Sequence, residues 1–338
     1  MGCLESKETE KPEEEEPKVF SWDRKDRPDP KDFTIADVKD ETTGRLPGKI
    51  NGQQFIIRDC QDSNIYLFDH SATITVDDCT GCSFFLGPIK GSVYFRDCKD
   101  CKVVVACQQF RTRDCKKMEI FLCCATQPII ESSSGMKFGC FQFYYPELEE
   151  QFKAASISVY NNNWSNIHDF TPAAGETTWS LLPEDVQVED FVPVPTIEPY
   201  NNLQASCSRD KSSVPLTLGT RRKPFDQVCL VIFFQSPQQR ESIKSFLSSI
   251  KEKGCVVVQT KEISMRADEI SRVIGSSDCC EAANQGALVG LEINGSDCVQ
   301  SCRQAIDTSE NTVYISPSAE KAIQEIDQFY NFVDMSMT

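Results

Sequence analysis

The segment ACQQFRTRDC, residues 106–115, places an arginine among amide side chains. Arg111 and Gln109 share one side of the predicted strand, because side chains alternate between its two faces. The segment belongs to an internal repeat, and two successive units of that repeat bring four residues to one edge of the predicted sheet: Gly91, Ser92, Gln108 and Arg111. Arginine suits contact with a phosphate or a developing anion, because its planar guanidinium donates several hydrogen bonds and keeps its charge. The pattern alone does not distinguish such a site from an ordinary solvated arginine on an outer face.

Cysteine pairs form a second candidate site. Two C-x-x-C pairs, which begin at Cys79 and Cys98, are separated by 15 residues, a spacing typical of four-cysteine zinc sites. The flanking units hold Ser63 and Met118 at the second cysteine position. The spacing therefore follows from a repeat, and we expect no metal ion, with a zinc-binding protein as the alternative.

An internal repeat positions both groups. Four units, FIIRDCQDSNIYLF, ITVDDCTGCSFFL, VYFRDCKDCKVVV and FRTRDCKKMEIFL, align on a cysteine with spacings of 19, 19 and 17 residues. Two short alternating runs around an Asp-Cys corner predict the coils of a parallel β-helix, which must stack to bury their apolar faces. We expect further coils within residues 123–143.

The alternation within each unit assigns its side chains to two faces. The cysteines and the residues three and five before them are expected to point inward: Phe55, Ile57, Cys60, Ile74, Val76, Cys79, Val93, Phe95, Cys98, Phe110, Thr112 and Cys115. The residues two and four before each cysteine are expected to point outward: Ile56, Arg58, Thr75, Asp77, Tyr94, Arg96, Arg111 and Arg113.

Composition limits the classes of function. The chain has 338 residues, enough for two hydrophobic cores, and 51 acidic against 35 basic residues give a net charge of −16. Nucleic acid is not an expected partner, because binding its phosphates requires clustered lysine and arginine. No apolar run approaches membrane-spanning length, and no secretory signal follows Met1. The 18 cysteines are therefore expected to be mostly free thiols in a reducing cytosol.

Residues 1–30 are expected to form an acidic, disordered, lipid-anchored tail. Gly2 and Ser6 fit the N-myristoylation pattern, and Cys3 is placed to take a palmitoyl chain. A single myristoyl chain anchors only weakly, so stable attachment needs a second signal. Glutamates at residues 13–16 would be repelled by an anionic leaflet, which favours acylation of Cys3. An incidental Met-Gly start is the alternative.

A different sequence pattern begins after the repeats. Residues 199–226 are rich in proline, serine and asparagine and are predicted to be a linker. Residues 227–338 alternate strand and helix patterns, such as VCLVIFF and SPQQRESIKSFLSSIKEKG, which predicts a ferredoxin-like α/β domain. The predicted fold class is mainly β plus α/β, with a right-handed parallel β-helix over residues 31–198 followed by this domain.

Residues from about 31 to 200 resemble the tubulin-folding cofactor C family. The resemblance is carried by HSATITVDDC, FLGPIKGSVYFRDC, ACQQFRTRDC, LCCATQPIIESSS and GCFQFYYPEL. It implies a protein that activates an ARF-like small GTPase of cilia by supplying an arginine finger in trans. The Gln-x-x-Arg signature of the family falls on Gln108 and Arg111. Its acidic residue after two isoleucines falls on Glu131, and the GTPase-contacting aromatic of NIHDFTP falls on Phe170.

The resemblance also implies the remaining parts of the site. Catalytic roles fall on Arg111, Gln108 and Glu131, with the carboxylate of Glu131 fixing the rotamer of the arginine. The residues expected to contact the nucleotide or the partner are Gly91, Ser92, Gln108, Gln109, Phe110, Arg111 and Phe170. GTP and Mg²⁺ belong to the partner GTPase in its GTP state. We expect no cofactor in the chain itself, which lacks a Walker-type glycine loop.

The implied role is to control release and trafficking of lipidated cargo to cilia, at the cytoplasmic face of the plasma membrane and the ciliary base. The C-terminal domain resembles nucleoside diphosphate kinases, whose phosphoryl transfer requires a histidine. His70 and His168 are the two histidines of the chain, and both precede this domain, so kinase activity is excluded and both are expected to be structural. The alternative function is a non-catalytic, membrane-tethered β-helix scaffold that binds GTPase or tubulin-related partners.

Overall fold

A computed structural model of the chain describes residues 29–172, 175, 177–275, 280–306 and 313–336. The chain divides between Asp32 and Phe33 into two units, and the elements that follow Phe33 belong to the second. Gly2 and Cys3, the predicted lipidation sites, lie outside the described residues. Within the described ranges, no helix is both long and apolar enough to cross a membrane.

Twelve strands form one sheet that winds into a parallel β-solenoid of about six turns. The strands are β1 Thr34–Ala36, β2 Thr42–Arg45, β3 Phe55–Arg58, β4 Asn64–Leu67, β5 Ile74–Asp77, β6 Ser83–Arg96, β7 Lys102–Arg113, β8 Glu119–Cys124, β9 Ile129–Glu131, β10 Met136–Cys140, β11 His168–Asp169 and β12 Trp179–Leu181. Helix α1, Leu148–Ala154, follows β10. Short 3-10 helices are Pro30–Phe33, Val188–Asp190, Tyr200–Leu203 and Arg209–Lys211.

The register of the solenoid is the one that the cysteine alignment predicts. Ile56, Thr75, Tyr94 and Arg111, which all lie four residues before a cysteine, are neighbours on successive parallel strands. β9 and β10 supply the further coil expected within residues 123–143. The predicted parallel β-helix is therefore confirmed.

The solenoid also has turns at both ends that the repeat does not predict. β1 and β2 form a turn before the first predicted unit, and β11 and β12 form one after the last. The first of these turns keeps the corner aspartate, Asp37, with a φ of 58°. It has Val38 where the later units have cysteine, so an alignment on cysteine misses it.

Each predicted unit turns at an aspartate in the left-handed region of backbone conformation. The φ angles lie between 51° and 55° at Asp59, Asp78, Asp97 and Asp114. Aspartate tolerates this region better than most L-residues do, so it ends one strand and redirects the chain. The cysteine that follows each aspartate is at most 1% exposed, which explains why the two residues recur together.

The interior of the solenoid confirms the predicted inward face. All the residues expected to point inward are buried, including Thr112, whose hydroxyl oxygen lies 3.2 Å from that of Ser133. Burial raises the pKa of the Cys82 thiol to about 11 and also raises the pKa of the Cys101 thiol. The described residues contain no group of three or more His, Cys, Asp or Glu side chains that could hold a metal ion.

The C-terminal domain is a four-stranded antiparallel sheet with helices. Its elements are β13 Gln227–Phe233, α2 Gln239–Glu252, β14 Val256–Ile263, α3 Ala267–Ile274, α4 Cys280–Ala283, β15 Leu288–Gly295, α5 Cys298–Ala305, β16 Val313–Ile315 and α6 Ala319–Ser336. The strand order is β14-β15-β13-β16, with antiparallel pairing throughout. This arrangement confirms the predicted ferredoxin-like fold.

Apolar side chains join the two domains. Phe85 and Phe121, on an outer face of the solenoid, belong to the same buried cluster as Val231 and Leu291 of the C-terminal sheet. The predicted linker, residues 199–226, packs at this junction: the N–H groups of residues 218 and 219 donate to the carbonyl oxygens of residues 257 and 258 at 2.8 and 2.9 Å. Because β14 is an edge strand, these bonds satisfy groups that a free edge would expose.

Candidate functional site

Arg111 lies in a lateral row of outward side chains on the solenoid. Tyr94 and Ile129 are its neighbours on the adjacent strands, and Thr75 and His168 lie one strand farther on either side. Adjacent strands are separated by about 4.8 Å and are held by backbone hydrogen bonds. The backbone of Arg111 therefore occupies a fixed place in the sheet.

The guanidinium of Arg111 retains unused donors. Its Nη2 donates a long hydrogen bond to Gln109 Oε1 at 3.4 Å, and its Cζ lies 6.0 Å from the centre of the Tyr94 ring. Its Nε is buried without a hydrogen-bond partner. Buried polar groups are normally hydrogen-bonded, so this nitrogen is an exception among the described residues.

The other outward arginines of the repeat are neutralised by carboxylates. Arg96 forms a two-point contact with Asp77, in which both N–O distances are 2.7 Å. Arg58 and Arg113 each pair with the aspartate that follows them, at 2.7 and 3.4 Å. Among the described residues no carboxylate forms an ion pair with Arg111, so this arginine differs from the three ordinary surface arginines of the same face.

The predicted amides surround the arginine. Ser92 Oγ donates to Gln109 Oε1 at 3.1 Å, which orients this amide oxygen for its contact with Arg111. The carbonyl oxygen of Gln108 accepts hydrogen bonds from the N–H and the hydroxyl of Thr126 at 3.1 and 2.9 Å. In the part of the chain that is described, the side-chain amide of Gln108 has no partner, so it is free to meet another molecule.

Two of the predicted contact residues serve the solenoid itself. Phe110 is 0% exposed, and its ring packs against those of Phe95 and Phe138 at centroid distances of 5.8 and 6.0 Å. The prediction that Phe110 touches a partner is therefore wrong, because its side chain points inward. At Gly91 an added Cβ would lie 2.8 Å from the carbonyl oxygen of Ala72, so glycine allows two coils to approach closely.

Glu131 lies diagonal to Arg111. The register pairs Glu131 with Arg113, and Arg111 with Ile129. No ion pair joins Glu131 to Arg111 within the described ranges, so the expected contact that fixes the arginine rotamer is not formed. Glu131 is exposed on the same face, and its catalytic role stays a prediction.

Two exposed aromatic side chains lie on the face that carries Arg111. Phe170 is 61% exposed and Tyr94 is 39% exposed. The N–H of Phe170 donates to the carbonyl oxygen of Ile130 at 2.9 Å, and His168 packs edge-on to the Phe170 ring at 4.7 Å. Sequence reasoning assigns Tyr94 only an outward direction, although its place one coil before Arg111 is the signal that could identify it.

The arrangement suits an anion carried by another macromolecule. A guanidinium with free donors, an unpaired amide and two exposed aromatic rings lie on one rigid surface. A cavity of about 830 Å³ lies elsewhere, between the solenoid and the C-terminal domain, and Arg111 does not line it. His70 lies within the solenoid, where its Nδ1 is 3.1 Å from Asp69 Oδ1, and His168 lies in β11 of the same solenoid. Because these are the two histidines of the chain, the C-terminal domain contains none for phosphoryl transfer.

Comparisons with known proteins show what the chain is similar to. Residues 52–170 match the family described as Tubulin binding cofactor C. The chain is 53% identical to Protein XRP2 of Danio rerio, over 96% of this chain and 88% of that protein. It is 27% identical to Tubulin-specific chaperone C of Homo sapiens, over 45% of this chain and 44% of that protein. The solved structure of Tubulin Binding Cofactor C from Leishmania major covers 45% of this chain and 92% of its own, with 23% identity and a TM-score of 0.32.

Proposed function

Because the chain belongs to the XRP2 family, we propose that it is a GTPase-activating protein that supplies Arg111 in trans to an ARF-like small GTPase. The observation that carries the proposal is the state of the Arg111 guanidinium. It has a buried Nε without a partner and no carboxylate neighbour among the described residues, whereas Arg58, Arg96 and Arg113 are paired.

The chemistry of GTP hydrolysis requires such a cation. In the transition state, negative charge spreads over the γ-phosphoryl oxygens and the bridge to the β-phosphate. A guanidinium placed at those oxygens stabilises the transition state more than the bound substrate and so raises the rate. The sheet fixes the backbone of Arg111, and the contacts with Tyr94 and Gln109 restrict its side chain, so less ordering entropy is lost in the complex.

The remaining components of the reaction are proposed to come from the partner. The GTPase would carry GTP and Mg²⁺, and the Mg²⁺ would help to neutralise the charge on the phosphates. Gln108 would bond the backbone of the partner or orient its catalytic glutamine. Phe170 and Tyr94 supply the apolar contact area that a transient interface needs at its centre.

A single-turnover GTP hydrolysis assay across several ARF-family GTPases tests the proposal. Each GTPase is loaded with GTP and Mg²⁺ and mixed with the full-length chain. We expect hydrolysis by at least one of them to accelerate by about 10³- to 10⁵-fold, the range typical of arginine fingers. Acceleration of none of them would contradict the proposal.

A non-catalytic scaffold is the second candidate function. It is favoured by the match of residues 52–170 to a family described as Tubulin binding cofactor C, which suggests GTPase or tubulin-related partners. A scaffold would bind the GTP-loaded partner without changing its hydrolysis rate. Binding measured alongside the hydrolysis assay therefore distinguishes the two candidates.

We also propose that two acyl chains hold the protein at the cytoplasmic face of the plasma membrane and the ciliary base. There it would act on a GTPase that controls the release of lipidated cargo to cilia. Gly2 would carry the myristoyl chain and Cys3 the palmitoyl chain. The acidic residues that follow would keep the folded part away from an anionic leaflet.

Gly2→Ala is expected to release at least part of the protein from the membrane fraction of cells, because it removes the myristoyl acceptor and leaves at most one acyl chain, on Cys3. Cys3→Ser leaves one chain, whose membrane binding is marginal at about 10⁴ M⁻¹, so we expect partial release. Cell fractionation with quantitative blotting measures both variants. Full retention of the Gly2→Ala protein on membranes would show that acylation is not the anchor.

A further inference from the structure

A run of three asparagines at residues 161–163 connects the C-terminal domain to the coil beside Gln108. The loop that contains them lies between α1 and β11. All three side chains are hydrogen-bonded. Asn162 bonds to the solenoid, Asn161 bonds to β14, and Asn163 bonds to both. The loop therefore acts as a polar bridge between the domains, in addition to their shared apolar cluster.

On the solenoid side, the loop holds the end of β8. Asn162 Oδ1 accepts the N–H of Cys124 at 3.0 Å, and Asn162 Nδ2 donates to the carbonyl oxygen of Leu122 at 3.2 Å. The N–H of Asn163 donates to the carbonyl oxygen of Cys124 at 2.8 Å, and Asn163 Nδ2 donates to the carbonyl oxygen of Ala125 at 2.6 Å. Four hydrogen bonds thus fix residues 122–125 where the chain leaves the strand.

The same segment holds the carbonyl group of Gln108. Thr126 donates two hydrogen bonds to it, from its N–H and its hydroxyl, and Cys124 Sγ lies 3.6 Å from the same oxygen. The N–H of Ala125 donates to the carbonyl oxygen of Cys107 at 3.1 Å. Displacement of residues 124–126 would therefore move Gln108, three residues before Arg111 on β7.

On the other side, β14 holds the loop. The Asn161 amide bonds the backbone of Glu262 at two points, accepting its N–H at 2.7 Å and donating to its carbonyl oxygen at 3.0 Å. Lys261 Nζ donates to Asn163 Oδ1 at 2.9 Å, and Lys261 is only 4% exposed. A lysine so buried is unusual, and its hydrogen bond orients the amide whose Nδ2 reaches the solenoid.

We propose that the C-terminal domain positions Gln108 and Arg111 through this loop, with Lys261 and Asn163 as positioning residues. The inference rests on the proposed GTPase activation and deepens it, since it gives the C-terminal domain a part in the same reaction. The physical reason is that small errors in the placement of a catalytic group have large effects on rate, about 100-fold for 1 Å. The path runs from β14 through Asn163 and the end of β8 to Gln108.

Lys261→Met in the full-length chain tests the proposal, because methionine keeps most of the side-chain volume and removes the donor. We expect the stimulated hydrolysis rate at saturating chain concentration to fall about tenfold, with less than about a twofold change in the concentration that gives half-maximal rate. We also expect the backbone amides of Cys124 and Thr126 to exchange hydrogen at least about tenfold faster. Asn163→Ala should behave similarly, and the double variant should add little, because both changes break the same link.

Glu149→Gln is the matched control at the domain junction. Glu149 pairs with Arg240 and Lys244 at 3.1 and 3.0 Å, and among the described residues it forms no ion pair or hydrogen bond with residues 161–163. It should leave both the hydrolysis rate and the exchange at Cys124 and Thr126 unchanged. Unchanged exchange with Lys261→Met, or equal effects from Glu149→Gln, would overturn the positioning role. If the unaltered chain accelerated no GTPase, the proposed function would fail, while hydrogen exchange would still decide whether Lys261 holds this coil.

Discussion

Arg111→Ala is expected to lower the stimulated GTP hydrolysis rate by about 10³- to 10⁵-fold, to the intrinsic rate of the partner GTPase. The substitution removes the cation that neutralises the transition state and leaves the strand that carries it in place. The fold should survive, because the side chain makes one long hydrogen bond, to Gln109 at 3.4 Å, and no ion pair with a described residue. Single-turnover hydrolysis measures the rate, and thermal unfolding of the same sample measures the fold.

The outward arginines of the repeat provide matched controls for this variant. Arg113 lies two residues along the same strand and faces the same side, but it is paired with Asp114 at 3.4 Å. Arg113→Ala should therefore cost less than about threefold in rate, in line with the small contribution of exposed ion pairs. Arg111→Lys keeps the charge and loses the planar fork, so it should remain strongly impaired. Rapid hydrolysis with Arg111→Ala would show that Arg111 is not the finger.

The inward or outward direction of each side chain in the repeat could be predicted from sequence, because an aspartate and a cysteine mark every corner of the predicted units. An aspartate such as Asp97 adopts the left-handed conformation that few residues tolerate, with a φ of 51°. The cysteine after it points inward, and strict alternation then assigns every residue of the preceding strand. The outward placement of Arg111 and its alignment with Tyr94 follow from this assignment, and the register of β6 and β7 confirms the alignment.

The electrostatic state of each arginine could not be predicted in the same way. Asp77 neutralises Arg96 from the neighbouring coil, whereas Glu131 sits beside Arg113 and does not pair with Arg111. These outcomes depend on strand offsets and side-chain rotamers, which an alignment of units does not contain. The bridge from Lys261 to Asn163 spans 98 residues of sequence, so no local pattern indicates it.

Composition predicts a segment between the domains but does not predict how that segment packs. Residues 199–226 have the proline and serine content of a linker, yet Val214 and Leu218 are buried. The N–H groups of Leu218 and Gly219 donate hydrogen bonds to an edge strand that would otherwise be open. Polar, turn-forming residues at a domain junction can therefore mark a packed connection whose backbone hydrogen bonds go to both domains.

Phe110→Ala and Phe170→Ala are expected to have opposite effects, although both residues lie near Arg111 in the solenoid. Phe110 is fully buried against Phe95 and Phe138. Its truncation should lower the free energy of unfolding by about 3–5 kcal/mol, because it removes a large apolar side chain and leaves a cavity. Phe170 is 61% exposed, so its truncation should change the stability by less than about 0.5 kcal/mol.

Affinity for the GTP-loaded partner should show the opposite pattern: it should fall in Phe170→Ala and change little in Phe110→Ala. Exposed aromatic residues at the centre of an interface are frequent hot spots, so Phe170→Ala should weaken binding about tenfold or more. Phe110→Ala, assayed at a temperature where it remains folded, should bind the partner with nearly unaltered affinity, because the ring does not reach the surface. Chemical denaturation and titration of the GTPase measure the two quantities on the same samples. Normal binding by Phe170→Ala would exclude this aromatic from the interface, because loss of a largely exposed ring should leave the fold intact.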